Sequence, residues 1–167
     1  MQKMLVGLFD PPEGNPWAKL GLDDMNSSHS QQVAHEAALQ SFVLLKNEKG
    51  TLPLKLGSNV AVVGTLATTA SLYNSDYAVA GMPPNSPSIA DAVTALNHKH
   101  GGVTVSAPGV TQVGADYDIS GATDSLALVA AADATVLVLG ITKKDEHEGI
   151  DRANTLLPAA QETYAKQ

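Results

Sequence analysis

Three Val-rich runs, each closed by a glycine, most constrain what this chain can fold into: NVAVVG at 59–64, VTVSAPG at 103–109 and TVLVLG at 135–140. They read as fully buried strands, the pattern of parallel sheets whose crossovers run through helices. Between them lie two amphipathic stretches, SIADAVTALNHKH at 88–100 and SGATDSLALVAAADA at 120–134, with Ser or Thr near the start and Gly101 after the first. Strand, helix, strand, helix, strand predicts an α/β fold, a three-layer α/β/α sandwich around a mostly parallel sheet. LLPAAQETYAKQ adds a helix with Pro158 in its first turn. A strand to follow that helix is expected and not present in the sequence, so the sheet reads as incomplete at its C-terminal end.

Residues 1–26 are rich in Pro, Gly and Asn without a sustained period, which predicts a linker rather than a core element. A helix is expected from the Ser27-Ser28 cap through HSQQVAHEAALQSFVLL, where Val33, Ala34, Ala37, Ala38 and Phe42 recur at helical spacing. Asn47, Gly50 and Pro53 break it. The expected division is therefore a linker at 1–26 and a sandwich domain at 27–167.

Composition narrows the partners. The chain has 167 residues, enough for one domain with a core, and a formal charge of −7 with Lys and Arg scattered. That balance argues against nucleic acid or an anionic membrane and fits a small neutral ligand. With no cysteine, disulfides and thiolate metal sites are excluded. No stretch resembles a transmembrane span, and the opening MQKMLVGLFDPPEGNPW has too short an apolar run for a signal peptide, which leaves the compartment unassigned.

The chemistry-bearing segment is KKDEHEGIDR, 143–152, which places Asp145, Glu146, Glu148 and Asp151 directly after the third Val-rich run. Two readings are open: a solvated loop closed by Asp151–Arg152 pairing, or a carboxylic acid whose proton is held by like-charged neighbours for acid/base work. Its position beyond the carboxyl end of a strand favours the second, because ligands of open α/β sheets bind there. Glu148 is the best candidate within it, since Gly149 lets the backbone turn sharply and present the preceding side chain.

Other motifs carry less. VGTLATTAS after Gly64 has neither G-x-G-x-x-G nor a P-loop, so a nucleotide-binding α/β domain rests on the strand pattern alone. His98 and His100 stand two apart on a helix, on different faces, and read as a polar helix end rather than metal ligands. His29 and His35 do not complete an H-E-x-x-H motif, and Trp17 reads as a packing anchor. No cofactor and no metal are expected.

With these residues in view, the chain resembles the second, C-terminal domain of glycoside hydrolase family 3, in the branch that includes β-xylosidases. GLFDPPEGNPWAKLG, AHEAALQSFVLLKNEKGTLPL, NVAVVG, SLYNSDYAVAGMPPNSP and EHEGIDRANTLLPAAQ carry the resemblance in order, over nearly the whole chain. VLLKN with LPL, and EHEGIDR with LPAAQ, are its most specific parts. The resemblance implies a retaining β-glycosidase acting on terminal β-linked sugars. A (β/α)₈ barrel domain supplies its nucleophile, and a loop of this second domain supplies the acid/base carboxylate. It assigns the acid/base role to Glu148, with Glu146 as runner-up and Asp151 and Arg152 in support. The partners implied are a glycoside or oligosaccharide substrate and the barrel. NSDY, 74–77, superficially matches the family's Ser-Asp-aromatic nucleophile motif, but it follows the first strand, so the nucleophile role is not carried to Asp76. GLFDPPE resembles the segment leaving the barrel, and the chain reads as a fragment of a longer enzyme. The competing expectation is a non-catalytic carbohydrate-binding or interaction module of the same fold.

Overall fold

The computed structural model describes residues 1–70 and 86–167. Contacts divide the chain into two compact units, Met1–Thr51 and Leu52–Gln167. The first holds a one-turn helix α1 (Gln2–Leu5), three short 3₁₀ turns between Pro12 and Asp24, helix α2 (Ser28–Ser41) and a further 3₁₀ turn at Glu48–Gly50. Ser27 caps α2, its Oγ accepting from the Ser30 N–H at 3.2 Å. Helix α2 ends at Ser41, four residues before the limit expected from apolar spacing. Phe42 is already extended, and Phe42-Val43-Leu44-Leu45 follows as an exposed apolar run.

The second unit holds the sheet. Strands β1 (Asn59–Val63), β2 (Val103–Ala107) and β5 (Ala134–Leu137) are parallel in the order β2-β1-β5. The register pairs Val60 with Thr104 and with Ala134. Helix α3 (Ile89–His98) connects β1 to β2, and helix α4 (Ala122–Ala130) precedes β5. Side chains of β1 alternate between two cores. Val60 and Val62 face α3 through Ala90, Ile89 and Val93, whereas Ala61 and Val63 join Val110, Ala122 of α4 and Tyr164 of helix α5 (Ala159–Ala165). Helices thus cover both faces of a parallel sheet, the three-layer architecture expected.

Full burial holds only for β1. Val103 of β2 is 58% exposed and Leu137 of β5 is 43% exposed, because among the described residues each pairs on one side alone. Pro158 also lies one place earlier than expected: it is the residue before α5, with extended backbone, and its missing N–H costs the helix nothing there. Residues 110–119 carry no periodic signal in the sequence. There a hairpin joins β3 (Thr111–Val113) and β4 (Asp116–Asp118) through Gly114-Ala115. Gly114 has φ +65°, which suits the first central position of a two-residue turn.

Two polar devices fasten the sheet to its helices. Asn97, buried at the end of α3, accepts from the Gly57 N–H at 3.0 Å. Its amide donates to Ser58 O, Val103 O and Thr104 Oγ1, tying the starts of β1 and β2 to one side chain. This explains NHKH better than its histidines do. At the start of α3, Ser88 Oγ accepts from the Asp91 N–H at 3.1 Å, and Asp91 Oδ2 accepts from the Ser88 N–H at 3.0 Å, a reciprocal cap. The Ser88 hydroxyl, and after it the Ser88 N–H, holds the Asp91 carboxyl below its ordinary value. A lowered carboxylate contributes stability above its unfolded value and loses it as pH falls through the folded one. Through loss of the N-cap hydrogen bond, Ser88→Ala is expected to cost about 1 kcal/mol in urea unfolding at neutral pH. Asp91→Asn should flatten the loss of stability below about pH 4; equal acid profiles for Asp91→Asn and the parent chain would remove the cap from this account.

Candidate active site

The carboxyl ends of β1 and β5 form the place where the chain reverses its direction of winding: β2 lies on one side of β1, β5 on the other, with α3 and α4 on opposite faces. Open α/β sheets bind ligands at such a point. The segment 138–152 leaves β5 here.

Its base is fixed by one amide. Gln161, fully buried in α5, donates Nε2–H to Gly140 O at 2.7 Å and accepts from the Gly140 N–H at 3.0 Å. A tight turn follows, closed by Asp145 N–H to Thr142 O at 2.9 Å and Thr142 N–H to Asp145 Oδ2 at 2.7 Å. The Asp145 carboxylate also accepts from Tyr117 Oη, at 2.8 and 2.9 Å to its two oxygens. Burial first, and then the bond to and charge of Asp145, raise the Tyr117 hydroxyl well above its ordinary value. Tyr117 is therefore a committed donor.

Beyond the turn, His147 and Ile150 exchange backbone bonds, N–H to O at 3.2 and 2.9 Å. Glu148 and Gly149 are the crest between them, and Gly149 at φ +86° supplies the left-handed conformation that the third position of a type II turn needs. The His147 ring nitrogen Nδ1 lies 2.8 Å from Glu148 O; a carbonyl only accepts, so this nitrogen carries a proton. Glu148 is exposed, and among the described residues no hydrogen bond or ion pair engages its carboxylate. Glu146 and Asp151 are exposed as well. Arg152 does not pair with Asp151 among the described residues: its guanidinium donates to Asn154 O and Leu156 O, shaping the chain ahead of α5. An open cleft of about 390 Å³ lies beside the loop, lined by Asp116, Tyr117, Asp145, Arg152 and Pro158 among others.

Residues 42–167 match the family model described as the glycosyl hydrolase family 3 C-terminal domain. The chain belongs to that family. An exo-1,4-beta-xylosidase of Emericella nidulans is 36% identical over 94% of this chain and 20% of its own length. The beta-xylosidase/alpha-L-arabinofuranosidase 1 of Medicago sativa subsp. varia is also 36% identical, over 98% of this chain and 20% of its own. Among solved structures, a family 3 beta-glucosidase of Bifidobacterium adolescentis superposes with a TM-score of 0.73 at 27% identity, covering 89% of this chain and 21% of that one. The exo-beta-xylosidase XlnD, solved with a xylobiose aziridine probe, gives 0.69 at 28% identity, covering 92% of this chain and 19% of the other. The chain thus spans about one fifth of the length of the relatives it matches.

In this family 3 domain the expected residues Glu146, Glu148, Asp151 and Arg152 share one loop, and the four acids differ in use. Asp145 is spent on the fold; the others face solvent. Sequence reasoning missed Tyr117, Gln161 and Gln112, whose Oε1 accepts from Thr142 Oγ1 at 2.7 Å. Gln161 carried a signal, since it is the last residue of the specific LPAAQ motif, whereas Tyr117 and Gln112 sit in the hairpin, which has no periodic signal. Asp76 and the NSDY segment lie outside the described residues.

Proposed function

We propose that this chain supplies the acid/base carboxylate of a retaining β-glycosidase, with Glu148 in that role. The supporting observation is the placement of a carboxylate, unengaged among the described residues, on the crest of a hydrogen-bonded turn beyond β5, at the reversal point of the sheet. Glu146 is the runner-up, two residues back, where its own N–H is tied at 3.3 Å to Thr142 O. Residues 1–26 are read as the link from a (β/α)₈ barrel domain, and 27–167 as the sandwich domain that delivers the acid. The substrate class is a glycoside with a terminal β-linked sugar, xylose or glucose, in keeping with the names of the relatives.

The chemistry divides between two carboxylates. One attacks the anomeric carbon and forms a glycosyl-enzyme, while the other protonates the departing oxygen and then takes a proton from the incoming water. The two stand about 5 Å apart on opposite sides of the scissile bond, so the nucleophile facing Glu148 is expected from the barrel rather than from this loop. Exposure of Glu148 suits that arrangement, since the substrate and the barrel complete its surroundings.

Replacing the matched fifth of the Emericella nidulans xylosidase with residues 1–167 tests the proposal. The chimera is expected to hydrolyse aryl β-xylosides, and the purified 167-residue chain to show no turnover. Robust turnover by the chain alone, abolished by substitution of Asp76, would place both carboxylates here and overturn the division of labour.

A further inference from the structure

The β3–β4 hairpin touches the acidic loop at two points. Gln112 and Tyr117 are directly opposite each other across the hairpin, so their side chains share a face. Gln112 Oε1 accepts from Thr142 Oγ1 at 2.7 Å, and Tyr117 Oη donates to Asp145. Thr142 and Asp145 are the two ends of the turn that starts the loop. From there Glu146 is held by its N–H to Thr142 O, and the His147–Ile150 pair carries Glu148. One cross-strand pair therefore grips both ends of the turn, and a continuous set of backbone bonds runs from it towards the crest.

One feature of this grip opposes stability. Gln112 Nε2 is buried and has no hydrogen-bond partner among the described residues, an arrangement that costs a fold about 1–3 kcal/mol. A methionine would fill the same space without that cost. What glutamine adds over methionine is the bond to Thr142. The Tyr117 hydroxyl, kept protonated by its burial and by Asp145, is likewise a donor throughout the pH range in which a glycosidase works.

We propose that Gln112 and Tyr117 are positioning residues: the β3–β4 hairpin is the mount that fixes the 142–145 turn and, through it, the place of Glu148. The inference rests on the acid/base reading of Glu148 and has a readout independent of it. In the purified chain, Gln112→Met and Tyr117→Phe are expected to speed amide exchange at 143–150 by about tenfold, by local opening. The urea midpoint of Gln112→Met should stay level or rise, which a purely structural glutamine would not permit. In the chimera, the same variants should lower kcat for xylosides with poor leaving groups about 10- to 100-fold, the effect of displacing a catalytic group by an ångström. KM should be unchanged, and kcat/KM for activated aryl xylosides nearly so. Unchanged exchange at 143–150 in both variants overturns the mount. If Glu148→Ala leaves turnover of poor-leaving-group xylosides intact while the hairpin variants still loosen the loop, the acid/base reading fails and the mount stands. If Glu148→Ala is crippling and the hairpin variants change neither exchange nor kcat, the reverse holds.

Discussion

Glu148→Ala in the chimera is expected to divide substrates by their leaving groups. For xylobiose or an alkyl xyloside, departure of the oxygen requires a proton, and loss of a placed acid should lower kcat/KM by about 10²–10⁴. For an aryl xyloside with an acidic phenol the first step needs no proton and kcat/KM should change little. Its kcat should still fall, because water attacks the glycosyl-enzyme without a base. Azide, which needs no base and fits the space left by the carboxylate, should restore turnover and yield the β-glycosyl azide. The structure sharpens the contrast with its neighbours. Glu146→Ala is expected to be mild, since that side chain stands on the arm rather than the crest of the turn. Asp145→Ala should do harm by another route: it unties Tyr117 and the Thr142 N–H, so azide should not rescue it. If the leaving-group signature and azide rescue belong to Glu146→Ala while Glu148→Ala is near neutral, the acid/base carboxylate lies two residues earlier.

The sheet was legible because its signal is long-range and redundant. Val60 to Val63 form a continuous apolar run that only burial on two faces satisfies, and a glycine or turn closes each strand. Sequence presents the outer strands as equally buried because it shows apolarity, not neighbours: Val103 and Leu137 belong to the same kind of run as Val62 and differ in having one paired side among the described residues. The acidic loop was legible as a position, after β5, but not as a mechanism of support. Three-residue strands carrying Asp116 and Asp118 have too little β-propensity to stand out, and the one local cue, Gly114 between Val113 and Ala115, is common to many loops. Nor does spacing tell which carboxylate the fold consumes. Asp145 is distinguished from Glu146 and Glu148 by Tyr117, 28 residues away. The Arg152 contacts escape the sequence for the same reason: an adjacent Asp151 suggests a pair, whereas the carbonyls of Asn154 and Leu156 engage the guanidinium.

Gly64→Ala is expected to cost more stability than Gly→Ala at the exposed glycines among the described residues. Gly64 ends β1 with φ +115°, a conformation that costs an L residue about 1–3 kcal/mol. A Cβ there would fall onto the Val138 carbonyl oxygen, with the carbonyl carbon at 2.9 Å and the Val138 nitrogen at 3.0 Å. The obstacle is backbone, and it is held from both ends: Val138 N–H donates to Val63 O at 2.7 Å, and Val138 O accepts from the Leu66 N–H at 3.3 Å. Relief would require moving β5 away from β1 at the point where the acidic loop departs. Adding the overpacking cost of about 1–3 kcal/mol to the backbone strain gives a total of about 2–6 kcal/mol. That is a large share of the 5–15 kcal/mol that holds a typical domain together. The glycine after β1, which completes neither a dinucleotide-binding nor a P-loop motif, is thus required by the close approach of the Val138 backbone. Gly101→Ala is the control: φ is +79° there as well, yet a Cβ meets nothing within 4 Å, so only the strain of about 1–3 kcal/mol applies. Urea unfolding of the two variants separates the contributions. A Gly64→Ala chain no less stable than Gly101→Ala would mean that β1 and β5 part readily at Val138, and with them the rigid base from which Glu148 is presented.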